Sequence, residues 1–207
     1  GVDHVITHMG FIPETACDPL YLPFCDAVRK VAEYLKANGQ YLLFETGQET
    51  PVTMLRTIEA IGTKNLGINF DTANLILYGK ANSADAITVF GKYVMDTHIK
   101  DGLYPTNGKN LGKEVRLGDG KVDFHGVIDG LYKLGYKGYI TIEREIDGAK
   151  QLEDRPCEDD ADHRKQNGND SRKLDGGGKG ALDALLVPGT EITCRDSGKA
   201  RGQRLNR

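Results

Sequence analysis

The sequence of 207 residues contains no tryptophan, four cysteines and three methionines. No apolar run approaches the ~18 residues of a membrane-spanning helix, so no membrane association is expected. Cys17, Cys25, Cys157 and Cys194 show neither CxxC spacing nor clustering with histidine. That argues against a disulfide framework or zinc site and for free thiols in a reducing cytoplasm. A basic excess is also missing: 27 Lys and Arg stand against 30 Asp and Glu, for a net charge of −3, which does not suggest a nucleic-acid partner. Residues 1–6 lack the charged and apolar regions of a signal peptide, so none is expected there. Aromatic residues stop early, because all nine Tyr and all six Phe precede residue 140. The 59 residues from Ala149 onward carry 12 Lys and Arg and 11 Asp and Glu, with the Gly-rich stretch Asp175-Gly176-Gly177-Gly178-Lys179-Gly180. Such a composition cannot bury a core. Residues 149–207 are expected to be a disordered or non-native tail, with only 181–187 able to form a short helix.

Residues 1–148 repeat one pattern. Short apolar runs at 2–7, 41–44, 66–70, 93–97 and 139–142 read as strands buried on both faces. Between them, 24–35, 51–61, 83–93 and 123–134 have helical periodicity. Pro51 stands near the start of the second helix and Gly62 after its end, and Ser83 is a candidate N-cap. Strand–helix alternation implies parallel strands joined by right-handed crossovers. Five units suit either a doubly wound sheet or part of a (β/α)8 barrel, which needs eight strands in about 250 residues.

Each run ends on a residue with chemistry: His8, Glu45, Asp71, His98 and Glu143. Parallel strands bring their C-termini to one face, where α/β active sites lie. Glu45, Asp71, His98 and Glu143 would converge there, and three adjacent carboxylates repel one another unless a cation neutralises them. Three oxygen ligands and one imidazole suit one divalent metal ion, Mn2+, Mg2+, Co2+ or Zn2+, with open positions for water or substrate.

The segments Thr7-His8-Met9-Gly10-Phe11-Ile12-Pro13, Phe44-Glu45-Thr46-Gly47-Gln48-Glu49, Asn69-Phe70-Asp71-Thr72-Ala73-Asn74-Leu75, His98-Ile99-Lys100-Asp101-Gly102 and Thr141-Ile142-Glu143-Arg144-Glu145, in this order, resemble the sugar phosphate isomerase/epimerase family. This is the xylose isomerase-like TIM barrel superfamily, which includes ketose 3-epimerases, inosose dehydratases and endonuclease IV. The resemblance covers residues 1–148 and corresponds to barrel strands four to eight, so the fold class implied is a TIM (β/α)8 barrel lacking its first three strand–helix units. Five strands alone cannot close and leave unpaired edges.

The resemblance implies Glu45, Asp71, His98 and Glu143 as metal ligands, Mn2+ foremost, and Glu45 and Glu143 as the catalytic acid/base pair. Its implied reaction is isomerisation or epimerisation of a sugar or sugar phosphate through a metal-stabilised enediolate. Inosose-type dehydration uses the same proton abstraction, and a catalytically inactive truncated barrel is the non-enzymatic alternative. A nuclease of the endonuclease IV type would need a His-rich three-metal cluster, which five histidines and negative net charge do not favour.

Candidate secondary substrate contacts are His8, equally a packed strand-end residue, Asn74, Lys100 and Glu114. Asn74 stands where ketose 3-epimerases carry a substrate-binding His, a departure that argues against simple ketose specificity. Lys100 follows His98 by two and so shares its side of a strand, to neutralise an enediolate oxygen or to pair with Asp101 at the surface. Glu114 and Arg116 lie in the Gly-rich loop 102–122, a candidate lid. His125 opens a helix as an exposed residue. Relatives in the family are commonly oligomers, so a homo-oligomer acting on a small sugar or polyol is the implied assembly.

Overall fold

A computed structural model describes residues 1–146 and the backbone of a short strand at Ile192–Cys194. The remainder of the expected tail, including the candidate helix at 181–187, lies outside the described residues.

The strands are β1 (His4–Thr7), β2 (Tyr41–Glu45), β3 (Leu66–Asp71), β4 (Val94–Ile99), a hairpin of β5 (Asp101–Leu103) and β6 (Lys113–Val115), then β7 (Ile140–Ile142) and β8 (Ile192–Cys194). Six form one parallel sheet in the order β1-β2-β3-β4-β7-β8. The order follows the chain without reversal, which excludes a doubly wound sheet, since those reverse at a switch point. The architecture is a partial (β/α)8 barrel, a parallel half-barrel with its helices outside. The eighth strand, β8, joins the sheet beside β7 from within a segment whose composition predicts no strand.

The helices are α1 (Tyr21–Ala37), α2 (Pro51–Ile61), the single turn α3 (Asn74–Leu77), α4 (Ser83–Phe90) and α5 (Phe124–Lys133). The bounds of α2 agree with the pattern read from Pro51 and Gly62: Thr50 Oγ1 accepts from Thr53 N–H, and Gly62 ends the helix at φ 74°, a left-handed conformation that costs glycine little. Ser83 is not the cap of α4. Asn82 caps it, its side chain accepting from the Ala84 and Asp85 N–H groups, while Ser83 turns inward and donates to the Thr72 carbonyl. That helix also stops at Phe90, and a 3-10 turn at Gly91–Tyr93 delivers the chain to β4.

The apolar core lies between the sheet and its helices. Leu42 and Phe44 of β2, Leu66, Ile68 and Phe70 of β3, Ile99 of β4 and Ile140 of β7 face the helices. Phe70 meets Phe90 of α4 edge-on, ring centroids 5.6 Å apart. Strand periodicity turns the intervening residues, among them Leu43, Glu45, Asn69 and Asp71, to the concave inner face.

Strand β4 breaks this alternation. Val94 and Ile99 both pack with the outer core although they are five apart, an odd interval that strict alternation forbids. A bulge resolves it. Ile68 pairs with Val94, but the next residue, Asn69, pairs with Asp96, leaving Met95 as the extra residue. Met95 Sδ lies over Gly67, in space that a Cβ at 67 would enter at 2.6 Å. The bulge flips the phase, so Asp96, His98 and Lys100 point inward and His98 pairs in register with Asp71.

The loop expected as a lid is largely tied down. Its start pairs with its middle as β5 and β6, and the fully buried Asp101 accepts from the Gly102 and Val122 N–H groups at Oδ1 and from Gly118 and Gly120 at Oδ2. The alternative pairing of Lys100 with Asp101 is therefore not formed. Removing this carboxylate leaves four backbone donors without their acceptor. Asp101→Ala is expected to lower the unfolding free energy by about 3 kcal/mol in urea titration, with proteolytic cleavage appearing first between residues 102 and 122. Unchanged stability would contradict this account of the loop.

Candidate metal centre

At the C-terminal edge of the half-barrel, Glu45 ends β2, Asp71 ends β3, His98 is the penultimate residue of β4 and Glu143 follows β7. Each offers one ligand atom, and the four atoms lie within 4.8 Å of one another. Inward phase at four strand ends brings the set together; chain proximity does not, because 53 residues separate Glu45 from His98.

Side-chain hydroxyls tie these strand ends to one another. Thr46 Oγ1 accepts from the Asp71 N–H and donates to the Asp71 carbonyl. One strand further on, Thr72 Oγ1 does the same with Lys100. Both threonines are fully buried. Asp71 Oδ1 accepts from the N–H groups of Ala73 and Asn74, so one of its oxygens is committed to the start of α3. Its Oδ2 lies 2.9 Å from Lys100 Nζ.

The electrostatics follow from burial. His98 is 3.2 Å through Nδ1 from both Glu45 Oε1 and Glu143 Oε2. Burial works against its charge, but those two carboxylates prevail and push the imidazole up to about 10. Glu143 shows the converse: burial opposes ionisation, yet His98 and Lys100 hold it down at about 2. Asp71 is fully buried, and desolvation raises it to about 7 despite the adjacent ammonium. Lys100 is itself fully buried. Desolvation disfavours its charge, but Asp71 and Glu143 hold the proton more firmly than on a free lysine.

The donor set fits a divalent ion. Carboxylate oxygens and imidazole are the ligands of Mg2+, Mn2+, Co2+ and Zn2+. Moreover, Asp71 is a buried acid whose ionisation is only partly supported by Lys100, so further positive charge beside it is favourable.

The other expected contacts are placed as follows. His8 immediately follows β1, which ends at Thr7, with its side chain 44% exposed and Nε2 3.8 Å from Glu45 Oε1, at the mouth of the site. Asn74 is buried at the first position of α3. Glu114 on β6 is engaged: its Oε1 lies 2.6 Å from an Arg144 guanidinium nitrogen, and its carboxylate accepts from the Glu145 N–H. Arg116 and His125 are exposed.

One participant escaped the sequence reading. Glu145 Oε2 lies 2.6 Å from Lys100 Nζ. Its signal was the i, i+2 relation to Glu143, the same relation that links Lys100 to His98. Outside the four-donor set, the buried Glu49 accepts from Gly47 N–H and is raised by desolvation to about 7. A surface groove beside Lys92, Met95, Leu134 and Tyr136 lies at the opposite, N-terminal end of β4 and β7.

The model of a protein family described as the xylose isomerase-like TIM barrel matches residues 1–166. An uncharacterized protein, MJ1311, of Methanocaldococcus jannaschii is 30% identical over 153 residues, which are 68% of this chain and 50% of that protein. An inosose dehydratase of Lacticaseibacillus casei is 28% identical over 120 residues, 51% of this chain and 39% of the enzyme. The crystal structure of a xylose isomerase domain protein from Planctomyces limnophilus superimposes with a TM-score of 0.66 at 39% identity, covering 73% of this chain and 56% of that one. The chain thus spans about half the length of the relatives it matches, or less.

The charge state makes a pH prediction. A divalent ion that takes His98 as a ligand displaces its proton, and below about pH 7 it displaces a second from Asp71. Affinity for Mn2+ should therefore rise about tenfold per pH unit between pH 7 and 9 and more steeply from pH 5 to 7. Calorimetry in buffers of differing ionisation enthalpy should register the released protons. Affinity that does not change with pH would show that His98 is not a ligand.

Proposed function

Because the chain belongs to the xylose isomerase-like TIM barrel family, we propose that it serves a divalent-metal-dependent isomerisation or epimerisation of a sugar or sugar phosphate. The observation that carries this reading is the convergence of Glu45, Asp71, His98 and Glu143 within 4.8 Å at the strand C-termini. These four residues are the proposed metal ligands. When bound, the ion supplies Lewis acidity that stabilises negative charge developing on the substrate oxygens.

The chain's own residues divide the remaining work. Glu45 and Glu143 are the proposed acid/base pair: one carboxylate takes the proton from the carbon next to a carbonyl, and the other returns a proton to the resulting enediolate. Glu143 is ionised at any physiological pH, so it enters the reaction as a base. Nδ1 of His98 lies 3.2 Å from a carboxylate oxygen of each, so the imidazole stands between the two groups of the pair. Lys100 Nζ, 2.9 Å from Glu143 Oε2, places a permanent positive charge beside the enediolate. His8 at the mouth and Asn74 beside Asp71 are the proposed sugar contacts. Glu114 enters indirectly, by holding Arg144 and the Glu145 backbone.

Dehydration of an inosose is the second reading, favoured by the similarity to an inosose dehydratase. It begins with the same proton abstraction and departs only when a β-hydroxyl leaves in place of reprotonation.

Incubation of the full chain with Mn2+ in D2O, over a panel of ketoses, sugar phosphates and inososes, separates the readings. Deuterium incorporated at the carbon next to the carbonyl with recovery of an epimer or isomer supports the first, and loss of water supports the second. Glu143→Gln and Glu45→Gln should each slow the exchange about 10²–10⁴-fold. Absence of exchange with every substrate would favour a barrel segment without activity of its own.

A further inference from the structure

Lys100 is the most constrained cation among the described residues. Its side chain is fully buried on the inner face, with Nζ 2.9 Å from Asp71 Oδ2, 2.9 Å from Glu143 Oε2 and 2.6 Å from Glu145 Oε2. Two of those three carboxylates belong to the four-donor set, and the third does not. The ammonium therefore lies against oxygens that a divalent ion would also use. It cannot withdraw to water, because no part of it is exposed.

Resting on the metal reading above, we propose that Lys100 is a built-in competitor of the divalent ion for Asp71 and Glu143, and that Glu145 is the carboxylate that retains the ammonium when the ion arrives. The pair Lys100–Glu145 then sets how tightly the centre holds its metal. The argument is electrostatic. Without an ion, three donor carboxylates at one point need buried positive charge, and the Lys100 ammonium, 2.9 Å from two of them, supplies it. With an ion, two cations would share the same oxygens of Asp71 and Glu143 in a buried site. An acceptor outside the donor set relieves that conflict.

Glu145 is prepared for this task. Its N–H donates to both oxygens of Glu114, and Glu114 is itself pinned by Arg144. The β5–β6 hairpin that carries Glu114 thereby fixes the segment leaving β7, from which Glu143 and Glu145 both reach Lys100. Glu145 is 62% exposed at its side chain, so its influence is screened by salt, whereas that of Lys100 is not.

The test is a double-mutant cycle read as Mn2+ affinity by calorimetry on the full chain at low salt, with the thermal shift produced by Mn2+ as a second readout. Lys100→Met should tighten Mn2+ binding tenfold or more while lowering the stability of the metal-free protein. Glu145→Gln should weaken binding about threefold, an effect that fades toward 0.5 M salt. In the Lys100→Met background, Glu145→Gln should have no further effect, because the cation it retains is gone. An unchanged or weakened affinity in Lys100→Met overturns the proposal. So does a Glu145→Gln effect that persists undiminished in the double variant, since Glu145 would then act on the metal directly. If Lys100→Met does not fold without metal, Glu145→Gln and its salt dependence still decide: no weakening at low salt rejects the proposal. Failure of the wild-type chain to bind any of Mn2+, Mg2+, Co2+ or Zn2+ rejects the metal reading itself, an outcome distinct from binding that ignores Lys100.

Discussion

Carboxylates on adjacent parallel strands repel, and the inner rim of this half-barrel gathers three of them around one imidazole within 4.8 Å. Burial adds a desolvation cost, which pushes Asp71 well above the usual carboxylate range, with the nearby Glu143 adding to the shift. Every other feature of the site answers that constraint. His98 is held protonated between Glu45 and Glu143, and Lys100 is buried as a permanent cation between Asp71 and Glu143. A divalent ion would be a third solution to the same problem, and it is the one that the proposed chemistry uses.

Holding charges this close requires a backbone that does not yield. The two threonine braces clamp β2 to β3 and β3 to β4 just where Asp71 and Lys100 emerge. Outside them, the aliphatic and aromatic core anchors the strands to α1, α2, α4 and α5, so the rim is set by packing rather than by the charges themselves. On the far side, Glu114 and Arg144 lock the exit of β7 to the hairpin, whose base Asp101 closes through four backbone donors. The loop that sequence composition suggested as a lid is thus mostly scaffold.

Much of this was legible in the residues. The five apolar runs are strands, the helix from Pro51 to Ile61 has the predicted bounds, and Glu45, Asp71, His98 and Glu143 stand at strand ends as their spacing implied. Less legible were contacts with a choice of partner. Asn82 rather than Ser83 caps α4 because the Ser83 hydroxyl is drawn to a buried carbonyl of the neighbouring loop. Lys100 pairs across strands with Asp71, Glu143 and Glu145 and not with its neighbour Asp101, whose carboxylate is consumed by backbone donors. Both outcomes turn on groups distant in the chain.

The sequence by itself determined the alternation of strand and helix, the outward apolar faces, and the placing of a ligand-type side chain at the end of successive strands, because those properties are written in local periodicity and in turn residues. Only the tertiary structure decided that His98 joins the others. Counting alternate residues from Val94, which packs outward, puts His98 on the helix side. The bulge at Met95, imposed by pairing with β3 and accommodated by the bare backbone of Gly67, turns it inward. A one-residue offset between neighbouring strands is a property of the pair, and neither strand carries it alone.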